Sequence, residues 1–199
     1  MNMIATTRKK VRRNRKGFTL IEILVAVAIF AMVMMVGVAE LLSLTHATRK
    51  AQALKSVMNN LNFAVENMTR NVRVGTTYHC QSAITPLQNI NTPENCETGG
   101  VLLAFEPRNG SSSTNSDQVV YRLNGAQLER STDGGDTFIA ITAPEVNIQN
   151  FKFYVAGSAT GDAKQPKVLF TISGVAGISP KSQTTFNLEA MVVQRLLDL

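Results

Sequence analysis

Hydrophobic positions run almost without interruption from residue 18 to residue 39, then thin to a spaced stripe that reaches residue 74. Residues 23–39 carry no charged side chain and are rich in Val, Ala, Met and Ile. Counted from Phe18, the run is about 22 residues, or roughly 33 Å as a helix at 1.5 Å per residue. That spans a hydrocarbon core of about 30 Å. Beyond it, in "ALKSVMNNLNFAVENMTRNVRVG", Leu54, Val57/Met58, Leu61, Val65, Met68 and Val72 recur at steps of three and four. This spacing predicts an amphipathic helix. No proline precedes Pro86, and Gly37 is the only glycine between Phe18 and Gly75. Arg70 and Arg73 suit a last turn, and Gly75 suits a C-terminal stop. The pattern therefore predicts one helix over 18–75, with a transmembrane half at 18–39 and an amphipathic half at 40–75.

After the helix the period changes. Residues 76–100 carry Thr, Asn, Pro and Gly with little periodicity and read as a loop. Strand patterns follow at 101–105, 118–123, 126–130, 138–142, 146–155, 167–173 and 184–196, with Asn124-Gly125 as a hairpin signal. A long helix followed by short strands predicts an α+β fold, in which the helix covers one face of an antiparallel β-sheet occupying 101–199.

Charge changes this picture at one end only. The formal charge is +6 and the pI about 9.6. Seven of the 20 Lys and Arg lie within residues 1–16, which hold no acid, leaving 13 against 14 Asp and Glu from Gly17 onward. The body is nearly neutral, so a nucleic-acid groove spread over the fold is not expected. Basic residues before an apolar run orient it with its N-terminus in the cytoplasm. A buried core helix fits the flanking charge poorly. A secretory signal peptide would have a shorter apolar stretch and a small-residue cleavage site after it. If the chain is cut, the better place is the basic-to-apolar junction.

At that junction, Lys16-Gly17-Phe18-Thr19-Leu20-Ile21-Glu22 resembles the processing site of type IV prepilins and of the pseudopilins of type II secretion. The resemblance implies a basic leader at 1–17 that a prepilin peptidase removes between Gly17 and Phe18. It also implies N-methylation of Phe18 and a glutamate, Glu22, as the fifth mature residue. A carboxylate inside a bilayer costs about 2.5–3.5 kcal/mol on insertion scales and usually pairs with an opposite charge. No Lys or Arg lies within the apolar run to serve Glu22. Cleavage would supply the Phe18 ammonium, and the resemblance implies that Glu22 docks on that amine of a neighbouring subunit. A carboxylate reaching back to the headgroups is the alternative.

Outside the cytoplasm, Cys80 and Cys96 would most simply form a disulfide; two free thiols are the alternative. His46 and His79 lack partners at ligand spacing and read as ordinary polar residues. Residues 131–138, Ser-Thr-Asp-Gly-Gly-Asp-Thr-Phe, resemble the Asp-box hairpin of sialidase propellers. A single copy reads as a tight turn, with calcium on Asp133 and Asp136 a minor alternative, because EF-hand spacing is absent. No nucleophile–base pair, phosphate-cradling loop or metal set stands out, so neither an enzyme nor a cofactor is expected.

The segments "VVYRLNGAQLERS", "VNIQNFKFYV" and "FNLEAMVVQRL" look like J-type minor pseudopilins and related minor pilins. That diffuse similarity implies a structural subunit of a type II secretion pseudopilus or type IV pilus, placed in a tip or initiation complex. Implied partners are the prepilin peptidase, other major and minor pilins, and the inner membrane, with the C-terminal domain extracytoplasmic and later in the filament. A minor pilin that binds DNA, a surface or a secreted substrate is a second reading. An uncut bitopic membrane protein is a third.

Overall fold

The computed structural model describes residues 17–87, 89–111, 113–177 and 183–196; of the leader expected at 1–17, all but Gly17 lies outside them. The first element, α1 (Leu20–Val74), runs for 55 residues without a break. Two compact units divide the chain between Ala47 and Thr48, later than the hydropathy boundary at 39. In the first unit every described side chain is exposed, and exposure continues to Gln52. Leu24, Val27, Phe30, Met34 and Leu41 thus show apolar surface with no protein partner. Such a surface is stable only in a non-aqueous setting or against other chains.

In the second unit the helix turns a narrow stripe inward. Val57, Leu61, Ala64, Met68 and Val72 are buried, at spacings of three and four that keep one face on the core. Leu54 is only half-buried. The Tyr78 hydroxyl donates to the Val72 carbonyl (2.7 Å) and lies 3.0 Å from that of Gly75. It thereby satisfies carbonyls that a helix end leaves free. Burial pushes the Tyr78 pKa upward.

Two antiparallel sheets complete this unit. The first has the order β1 (Thr76–Gln81), β2 (Leu102–Glu106), β3 (Val119–Asn124), β4 (Gln127–Ser131) and β5 (Ile139–Ala140). The second is β6 (Val146–Ala156), β7 (Lys167–Ala176) and β8 (Thr184–Val193). All five residues of β2 are buried because both faces are covered. Leu103 and Phe105 join the main core with the helix stripe, whereas Leu102 and Ala104 join Ile90 and Val120 on the other side. A strand covered on both faces reads as a continuous apolar run.

Three expectations are corrected here. Residues 76–100 are not all loop, since Thr76–Gln81 forms β1 and pairs with β2. Its Thr-Thr-Tyr-His-Cys-Gln sequence has no apolar alternation, and it becomes a strand because β2 supplies a partner. At 138–142 only Ile139–Ala140 pairs with β4, both exposed. The hairpin after β3 closes on Gly125 and Ala126, not on Asn124-Gly125, since Asn124 still pairs with Gln127. Only Gly125 has positive φ (59°) in that turn, which fits a type II′ loop with glycine at its first central position.

β6 carries a bulge between Ile148 and Asn150. Before it the buried residues are Val146 and Ile148; after it they are Phe151, Phe153 and Val155. One extra residue switches the inward parity from even to odd and keeps both runs on the core. At the bulge the β6 backbone closes on β7. A Cβ built on Gly174 would stand 2.1 Å from the Asn147 carbonyl oxygen.

Candidate processing and assembly site

Gly17 and Phe18 are exposed and precede the helix, with Phe18 among the most exposed of the large apolar side chains. Among the described residues, nothing lies within 4 Å of a Cβ built on Gly17. The junction is open on the side a protease would need.

The first helical turn explains how Glu22 sits where it does. The Glu22 amide donates to Thr19 Oγ1 (3.3 Å), and the Thr19 amide donates back to Glu22 Oε2 (3.5 Å). Thr19 is thus the cap of α1 and Glu22 its reciprocal partner, a capping box with long hydrogen bonds. A carboxylate in the first turn also meets the positive end of the helix dipole. Glu22 therefore has modest compensation within its own chain, and Thr19 belongs to the site beside it. The sequence reading includes Thr19 in the processing motif but not as a helix cap, although Thr-Leu-Ile-Glu carries the S/T-x-x-E signature. No described Lys, Arg or His forms an ion pair with Glu22.

Cys80 and Cys96 are joined by a disulfide, with Cα atoms 5.7 Å apart. Cys80 lies on β1 and only Cys96 lies in the following loop. The Cys96 amide donates to the Val155 carbonyl (3.0 Å) and the Gly100 amide to that of Phe153 (2.7 Å). The bridge therefore ties a strand of the first sheet to a segment running beside β6 of the second.

His79 departs from its expectation as an ordinary polar residue. It is buried, its Nδ1 lies 2.9 Å from the Thr92 carbonyl, and Glu94 Oε2 lies 3.5 Å away. That geometry fits an Nδ1–H donated to the carbonyl, which anchors the loop to β1.

At 131–138 the oxygens of Asp133 are taken by its own turn. Ser131 Oγ donates to Oδ1 (2.5 Å), the Thr137 amide to Oδ1 and Oδ2 (3.0 and 3.2 Å), and the Thr137 hydroxyl to Oδ2. These donors hold the Asp133 pKa down at about 2, the Ser131 bond first among them. The tight-turn reading fits this geometry. The calcium alternative at Asp133 and Asp136 does not, because every lobe of Asp133 is already used. No group of three or more His, Cys, Asp or Glu spaced for a metal occurs among the described residues.

Residues 12–38 match the family described as "Prokaryotic N-terminal methylation motif". Searches of curated proteins and of solved structures gave no significant match. The matched segment supports a protein of the type IV pilin or pseudopilin class. Together with the long apolar helix, it points to membrane anchoring.

Proposed function

We propose that the chain is a minor pilin or pseudopilin, a structural subunit of a type IV pilus or type II secretion pseudopilus. A prepilin peptidase cuts it between Gly17 and Phe18 and methylates Phe18. The new ammonium and Glu22 then serve assembly with other subunits, from an inner membrane crossed once with the C-terminal domain extracytoplasmic. A place in a tip complex, as in J-type subunits, is part of this reading and rests on the diffuse likeness of 119–131, 146–155 and 186–196.

One observation carries the proposal. The methylation motif at 12–38 coincides with an exposed Gly17–Phe18 junction immediately ahead of an apolar helix with no buried side chain before residue 53. The apolar surface of such a helix has no cover among the described residues, and a filament of packed subunit helices would supply one.

Co-expression with a prepilin peptidase should remove residues 1–17 and leave N-methyl-Phe18, read by intact mass. An uncut chain beside a processed control pilin would end the reading. Gly17→Val should block the cut, and the open space around Gly17 means that this loss cannot be assigned to misfolding. Glu22→Gln should be processed normally but incorporate poorly, measured by cross-linking to neighbouring subunits. Normal incorporation would reduce Glu22 to its helix-capping role.

A further inference from the structure

The end of α1 opens on a cleft that gathers arginines and no acid. Val74, the last helical residue, and Arg108, from the β2–β3 loop, both line two adjoining cavities of about 310 and about 180 Å³. Arg130 of β4 shares the larger cavity with Arg108, and Arg195 shares the smaller. Arg73 stands close by, since the Arg195 amide donates to its carbonyl (2.9 Å). Phe105, Pro107 and Val119 give the larger cavity an apolar wall. Among the described residues, no Asp or Glu lines either cavity, and none of these four arginines forms an ion pair.

A cation beside the C-terminal end of a helix is ordinary, because it meets the negative end of the dipole. Arg73 fills that role from the last turn. Arg108 and Arg130 come from a loop and a strand distant in sequence and need another reason. Arg130 is half-buried, and its Nη1 donates to Asn67 Oδ1 (3.3 Å), which also accepts the Asn71 side-chain amide (3.0 Å). That acceptor is neutral, so the bond places the guanidinium without neutralising it. Like charges at one cleft repel each other, and a guanidinium cannot shed its proton to relieve this. From Gly17 onward acids outnumber Lys and Arg by 14 to 13, so the surplus here is local and not part of a generally basic body.

We propose that the cleft receives a carboxylate side chain, flanked by apolar residues, from a segment of another polypeptide. Arg108 and Arg130 would grip the carboxylate, the planar guanidinium fork matching its two oxygens. The wall of Phe105, Pro107 and Val119 takes an apolar neighbour of that acid, and Arg195 adds positive charge from the smaller cavity. A nucleic acid is the poorer fit. Its phosphates call for cations spread along a surface, whereas these are confined to one cleft of a nearly neutral body. The inference stands apart from the pilin reading and holds or falls without it.

Full-length protein in detergent is titrated by calorimetry with the end-capped peptides Gly-Leu-Asp-Leu-Gly and Gly-Leu-Asn-Leu-Gly, with empty micelles as the blank. The expected result is binding of the Asp peptide alone, with Kd within about 10⁻⁵–10⁻³ M, weakened as salt is raised. Arg108→Gln and Arg130→Gln should each weaken it by about tenfold or more, while Lys152→Gln, on the exposed face of β6, binds as the parent does. If Arg130→Gln fails to fold for want of its bond to Asn67, the exposed Arg108→Gln carries the test. Several results would overturn the proposal: no heat with the Asp peptide, equal binding of the Asn peptide, normal binding by Arg108→Gln, or equal loss in Lys152→Gln. Binding of sodium phosphate without binding of the Asp peptide would make the cleft a phosphate site and overturn it. Binding that appears only after Asp198→Asn would mean that an acid of the chain itself holds the cleft, and would equally overturn it.

Discussion

Asp133 shows how much of a local structure one side chain can carry. Its two oxygens take donors from Ser131 and Thr137 and close the 131–137 turn, and Gly134 in that turn donates its amide to the Gln118 carbonyl (3.0 Å). A folded-state pKa held at about 2 means that the ionised form is favoured by folding. Its contribution is fully present above the ordinary aspartate pKa and is lost as pH falls through the folded value. The Tm difference between the parent and Asp133→Asn should therefore shrink as pH is lowered from about 4 to about 2. A difference that stays constant across that window would show that the charge of Asp133 does not matter to the turn.

Among the elements, β6 is the one whose pairing decides the most. Its bulge keeps five apolar residues inward across a change of parity, and it holds the loop segment that carries Cys96. The contact it needs is with β7 at Gly174, where a methyl group would meet the Asn147 carbonyl oxygen at 2.1 Å and Ile148 Cα at 3.0 Å. Neither neighbour is a flexible side-chain end, so the backbone itself must move. Gly174→Ala should destabilise the second unit by about 1–3 kcal/mol, measured by denaturant unfolding. An unchanged midpoint would mean that the two strands separate at this point without cost. The parity switch is legible in "VNIQNFKFYV", where the inward residues fall at 146 and 148 and then at 151, 153 and 155. The close approach is not legible, because it depends on which residue of β7 faces the bulge.

At the scale of the molecule, the disulfide joins what the core alone would join less tightly. Cys80 belongs to the five-stranded sheet, and Cys96 hydrogen-bonds to β6 of the other. The pair closes a loop with a sequence separation of 16, worth about 3 kcal/mol in the chain-entropy account. Cys80→Ala/Cys96→Ala should lose stability on that scale, seen as a lower denaturation midpoint, while membrane insertion is unaffected. Thiol labelling of the denatured, unreduced parent should find no free cysteine. Two labels per chain would contradict the bridge.

The sequence by itself determined the features that depend on neighbours along the chain. The apolar run, the helix stripe at 57, 61, 68 and 72, six of the strands in substance, the basic N-terminal run and the Gly17–Phe18–Glu22 signature all lie in local period and composition. Tertiary structure decided what depends on partners distant in sequence. Thr76–Gln81 is a strand only because β2 lies beside it, and residues 138–142 shrink to two paired residues because the Leu128 amide of β4 is taken by the Thr142 hydroxyl in place of a backbone carbonyl. The division at Ala47 and Thr48 follows packing and not hydropathy. Arg108, Arg130 and Arg195 are scattered along the chain until the fold brings them to adjoining cavities at the end of α1. Register and burial are properties of paired segments, and neither segment records them alone.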